Sequence, residues 1–72
     1  MFKFYGMKDE EVELELGSLI TYMQVSGARF TGIILGWEFK HYFNSPVLTI
    51  LKDSSVIEEI RTDLIFWCEV IS

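Results

Sequence analysis

The stretch Gly27-Ala28-Arg29-Phe30-Thr31-Gly32-Ile33-Ile34-Leu35-Gly36-Trp37-Glu38 decides how the chain is read. From Ala28 to Phe39 apolar side chains occupy both alternating sets, with Phe30 and Ile34 on one and Ile33, Leu35 and Trp37 on the other. That is the pattern of a strand covered on both sides. Two glycines interrupt it. A glycine inside a strand marks a sharp bend or a bulge, so Gly32 and Gly36 predict a long strand that curls. Just before it, Val25-Ser26-Gly27 predicts a hairpin turn, because glycine takes a positive φ without steric cost. Leu19 to Gln24 is then the strand that leads into the turn.

Downstream, Lys40 to Pro46 reads as a loop in which Asn44-Ser45-Pro46 separates two apolar runs. Strands are predicted at Val47 to Leu51, Val56 to Arg61 and Leu64 to Ile71. They are joined by a turn at Lys52-Asp53-Ser54-Ser55 and a tight corner at Thr62-Asp63. Upstream, residues 8 to 16 fit two periods. Val12, Leu14 and Leu16 alternate as in a strand, while Val12, Leu16 and Leu19 fit a short helix, and the extended reading is preferred. Five short strands with short connections predict an all-β fold, a small and strongly bent five-stranded barrel. With no repeat, low-complexity tract or linker, residues 1–72 read as one domain.

A 72-residue chain buries only roughly 60% of the surface its unfolded form exposes, so the core is thin. Half of the residues are hydrophobic and eleven are aromatic, more than so small a globule hides inside, which predicts apolar surface facing another subunit. The single cysteine, Cys68, cannot form an intramolecular disulfide, which points to a reducing cytoplasm. Met1 to Gly6 lacks an apolar signal region and no run approaches a membrane span, so a soluble, unexported protein is expected. The net charge of −5 weighs against a nucleic-acid partner, since phosphate attraction supplies much of such affinity. Yet Asp9, Glu10, Glu11, Glu13 and Glu15 crowd into residues 8 to 16 with Lys8, and the remaining chain carries five bases against six acids.

One histidine, one cysteine and no glycine-rich phosphate loop assemble no catalytic set, so no enzyme and no cofactor are expected. His41 has no neighbour at metal-ligand spacing, and Cys68, among Phe66, Trp67 and Val70, reads as a small buried hydrophobe. The informative segment is Phe39-Lys40-His41-Tyr42-Phe43-Asn44. Aromatic faces stack on bases, amides and guanidinium groups read base edges, and cations meet phosphate. Read instead as ordinary structure, Tyr42 and Phe43 pack on the protein, Lys40 and His41 solvate a turn, and Arg61 pairs with Glu59 or Asp63, worth ~0–1 kcal/mol.

The run from Gly27 to Glu38 resembles the first signature motif of the Sm and Sm-like family: a turn glycine, a second glycine five positions on, alternating apolar residues, and an aromatic followed by an acid. Ile60-Arg61-Thr62-Asp63-Leu64-Ile65 resembles the second signature. Thr62 stands where that family prefers glycine, Glu38 replaces its usual aspartate, its loop asparagine expected near Tyr42 appears at Asn44, and its N-terminal helix is not evident. The resemblance implies an SH3-like barrel of Sm type, assembled as a homo-oligomeric ring whose loops clasp single-stranded RNA, or DNA. Carried over by position, Arg61 is the base and phosphate contact, His41 or Tyr42 the stacking residue, Asn44 the edge reader, and Lys40 an added cation. One subunit offers only one or two cationic contacts, so repetition around a ring must supply the affinity. The competing expectation is a protein-interaction or inhibitory module that docks through Asp9 to Glu15.

Overall fold

In the computed structural model the described residues form seven strands: β1 (Phe2–Tyr5), β2 (Glu11–Leu14), β3 (Leu19–Gln24), β4 (Arg29–Lys40), β5 (Ser45–Lys52), β6 (Val56–Arg61) and β7 (Ile65–Val70). A single 3-10 turn, Thr62–Leu64, separates β6 from β7. The structure describes every residue except Lys8, Asp9, Asp53 and Ser54. The predicted turn at Lys52 to Ser55 and the start of the acidic segment therefore lie partly outside the described residues. Among the described residues there is no α-helix, and the fold is all-β.

The five strands read from the sequence form one antiparallel sheet in the order β6-β5-β4-β3-β7, with β6 and β7 at its edges. Consecutive hairpins build it, and the last strand returns beside the first. Gly27, at φ +93°, takes the left-handed backbone that turns β3 into β4, and Gln24 N–H closes the turn on Ala28 O at 2.9 Å. Two further strands stand outside that count. β1 has no counterpart in the sequence pattern, and it pairs with β2 as a separate hairpin, Phe2 opposite Leu14 and Phe4 opposite Val12. Residues 11–14 are extended, the preferred of the two periods, because Val12 and Leu14 both reach the core from one face of this hairpin.

Two corrections concern β4 and the loop after it. The sequence pattern covers β4 on both sides, but Ile33 and Leu35 face outward, 38% and 44% exposed. The register slips between Ile34, opposite Ile50, and Gly36, opposite Thr49, so Leu35 is an extra residue. A bulge reverses the alternation beyond it. Ile34 and Trp37, three residues apart, consequently both serve the core: Ile34 is buried and Trp37 stacks on Phe2 with ring centroids 5.3 Å apart. The predicted Lys40–Pro46 loop shrinks to His41–Asn44, because Ser45 and Pro46 already belong to β5. β6 ends at Arg61, opposite Val47. Pro46 thus lies where β5 has β4 on one side only, and the missing N–H is tolerated.

The core gathers Leu14, Ile20, Tyr22, Ile34, Leu48, Ile50 and Ile65, all fully buried. The accessible surface of the chain, 4521 Å², matches the roughly 4,600 Å² expected of a folded monomer of this mass, so the exposed apolar side chains are not a sign of loose packing. They are spread over the surface and include side chains at the sheet margins: Val56 and Ile57 on edge strand β6, Val70 and Ile71 at the end of edge strand β7.

Candidate functional site

The loop between β4 and β5 is a tight one. Phe43 N–H donates to Lys40 O and Asn44 N–H to His41 O, both at 3.1 Å. Asn44 itself sits at φ +52°, left-handed backbone that asparagine tolerates better than most residues. The loop therefore has a conformational reason for Asn44 that stands beside any reading of base edges, and its side chain is exposed.

The corner after β6 is fastened to the start of β5, next to this loop, by buried hydroxyls. Thr62 Oγ1 donates to Pro46 O at 3.0 Å and lies 3.1 Å from Ser45 Oγ, with both residues about 5% exposed or less. Buried polar groups persist where they are paired, and here the pairing ties residues 16 and 17 positions apart in sequence. The fastening brings Arg61 over the Phe43 ring, its guanidinium carbon 4.5 Å from the centroid. Tyr42 lies beside Phe43 with centroids 4.5 Å apart, and is 76% exposed. Phe39 and His41 form a second, edge-on pair at 5.3 Å.

Both cations of the site already have partners. Arg61 Nε donates to Asp63 Oδ1 at 3.0 Å and Nη2 to Oδ2 at 2.7 Å, a two-pronged pair. Lys40 Nζ lies 3.2 Å from the Glu38 carboxylate. Hydrogen bonding to Asp63 raises the pKa of Arg61, and hydrogen bonding to Glu38, reinforced by its charge, raises that of Lys40. Both groups stay charged at any physiological pH while their fields are largely offset.

No family model, curated protein or solved structure matches this chain.

Of the residues singled out from the sequence, Tyr42 and Arg61 come together on one surface, with Phe43 between them. His41 pairs with Phe39 instead, and Lys40 with Glu38. Sequence pattern gives Phe43 only a packing role, yet it is the ring that carries the arginine. Three aromatics in six residues flag the loop, but which one meets Arg61 depends on the turn geometry. Arg61 pairs with Asp63, one of the two carboxylates expected, and not with Glu59.

Elsewhere, Cys68 is buried against the core, and desolvation together with Glu69 pushes its thiol up to about 12. It is protonated and unreactive at neutral pH. A cavity of about 370 Å³ beside it is lined by Glu10, Trp67, Cys68 and Glu69. Among the described residues no group of three or more His, Cys, Asp or Glu converges as metal ligands do, and no helix is long and apolar enough to cross a membrane.

Proposed function

We propose that this chain is a non-enzymatic binding protein, an Sm-like barrel of SH3-like type, that assembles into a closed homo-oligomer and holds single-stranded nucleic acid, RNA foremost, on Tyr42, Phe43 and Arg61. The observation that carries the reading is the stack of Arg61 on Phe43 beside the exposed Tyr42. Two segments far apart in sequence converge there, and the exposed Tyr42 ring is of the kind on which bases stack at ~1–3 kcal/mol each. The return of β7 beside β3, the close approach of β5 at Gly32 and the bulge at Leu35 support the barrel. Exposed apolar side chains on edge strands β6 and β7 support self-association, in which one subunit's edge covers the next.

A second reading, a protein-interaction module, is favoured by one specific observation. Arg61 and Lys40 are each paired with a carboxylate, so the surface offers aromatic area with little net positive charge. The two are separated by measuring solution mass together with anisotropy of labelled U-rich and A-rich RNA. Tyr42→Ala and Arg61→Ala should each weaken RNA binding while the mass of the oligomer is unchanged. A folded, oligomeric wild type that binds neither RNA nor single-stranded DNA at low salt removes the nucleic-acid reading and leaves the protein-interaction one.

A further inference from the structure

The pairing of Arg61 constrains what it can recognise. Its Nε and Nη2 hold both oxygens of Asp63, and one face of the guanidinium lies on Phe43. These contacts fix the plane of the group. The edge formed by Nη1 and the second hydrogen of Nη2 remains, and among the described residues no acceptor is bonded to it. That edge presents two parallel N–H donors from a half-exposed residue.

Two parallel donors require two adjacent acceptors, which phosphate and the N7/O6 edge of guanine both supply. The surroundings separate the two. Glu38 and Asp63 lie against Lys40 and Arg61, and Glu59 adds its field at Lys40, so three carboxylates face two cations. An anion gains little from such a surface, whereas a neutral base edge loses nothing. At the same edge adenine places a donor beside N7 and uracil offers only one acceptor, while cytosine, which in a single strand presents N3 and O2 as adjacent acceptors, has a smaller ring to lay on Tyr42 than guanine has. Building on the function proposed above, we infer that the Asp63-held Arg61 reads guanine in a single strand through O6 and N7, with Tyr42 as the adjoining stacking surface.

The test uses the full chain and labelled A-rich RNA strands of one length that differ at a single central position. Guanine and inosine, which share O6 and N7, should bind alike. Both should bind roughly 5- to 150-fold tighter than adenine, the range of a two-pronged base contact, with 7-deazaguanine, which lacks the N7 acceptor, also weaker than guanine. Asp63→Asn, which frees the guanidinium and removes a negative charge, should strengthen binding of all strands at low salt and shrink the preference for guanine. Equal affinity for guanine and 7-deazaguanine overturns the inference and leaves nucleic-acid binding standing. An unchanged preference in Asp63→Asn overturns the role given to the pair. Absence of binding to every strand overturns both the inference and the function on which it rests.

Discussion

Replacing Gly32 with valine places the packing of the sheet under test, because the close approach of β5 to β4 depends on that position having no side chain. A Cβ built there would run into Ile50 Cγ2 and stand 2.9 Å from the carbonyl oxygen of Leu51. Ile50 is fully buried and cannot swing aside, and Leu51 O is backbone of the adjacent strand. Valine gains at most ~1 kcal/mol in strand preference and ~0.4–1 kcal/mol from a less flexible unfolded chain. Against this stand crowding costs of ~1–3 kcal/mol for ordinary overpacking, with the overlap at Ile50 and the close approach to backbone placing Gly32 at or beyond the upper end. The expected result is a net loss of more than ~1 kcal/mol from a total stability of roughly 4–11 kcal/mol for this length. The melting temperature should fall by ~4–8 °C per kcal/mol. Circular dichroism melts of both proteins at one protomer concentration read this out, since self-association shifts the midpoint by mass action. Gly36→Ala is the internal control: a Cβ at Gly36 would meet nothing within 4 Å, and its φ is not in the left-handed range, so it should melt at or slightly above wild type. If Gly32→Val melts no lower than Gly36→Ala, the close approach of β5 to β4 at Gly32 does not exist.

Thr62→Val removes the hydroxyl that donates to Pro46 O. It should cost ~1 kcal/mol and weaken RNA binding by loosening Arg61, and Thr62→Ser should recover both in the same melts and titrations. Ile57, 63% exposed on the edge strand β6, carries a test of assembly: Ile57→Glu should lower the mass seen by light scattering while the circular dichroism spectrum stays that of the wild type. A monodisperse wild-type monomer of 8.4 kDa at micromolar concentration would refute self-association itself. The Cys68 thiol should resist alkylation in the folded protein at neutral pH and react once it is denatured. Its pKa is raised by folding from 9.0 to about 12, so the unfolded chain releases the proton first. Its contribution to stability is therefore intact below pH 9 and declines as pH rises from 9 toward 12, a trend that should vanish in Cys68→Ala.

Much of this architecture is written in short-range pattern. The turn at Gly27, the strand Val56–Arg61 and the interruption of β4 by glycines follow from periods of two and from the one residue without a side chain, and these are properties of a few neighbouring residues. The loop from Phe39 to Asn44 is legible as a concentration of aromatic and polar groups for the same reason. What no local pattern holds is register. That Leu35 is the residue left over, so that Trp37 turns inward to Phe2, is decided by how β4 lies against β5. That Phe2–Tyr5 is a strand at all depends on β2 and on the room left over the core, and that Pro46 is inside β5 depends on where β6 stops. The site shows the same division. Tyr42 and Arg61 stand out in the sequence, and the pairs Arg61–Asp63 and Lys40–Glu38 are each only two residues apart, but the placing of Phe43 beside the arginine brings together segments that only the folded chain joins. Residue type and spacing determine what a segment can do by itself, the local pairing of its charges included; contacts between segments 16 or more positions apart form only when the chain closes on itself, and here those contacts set which ring meets the arginine.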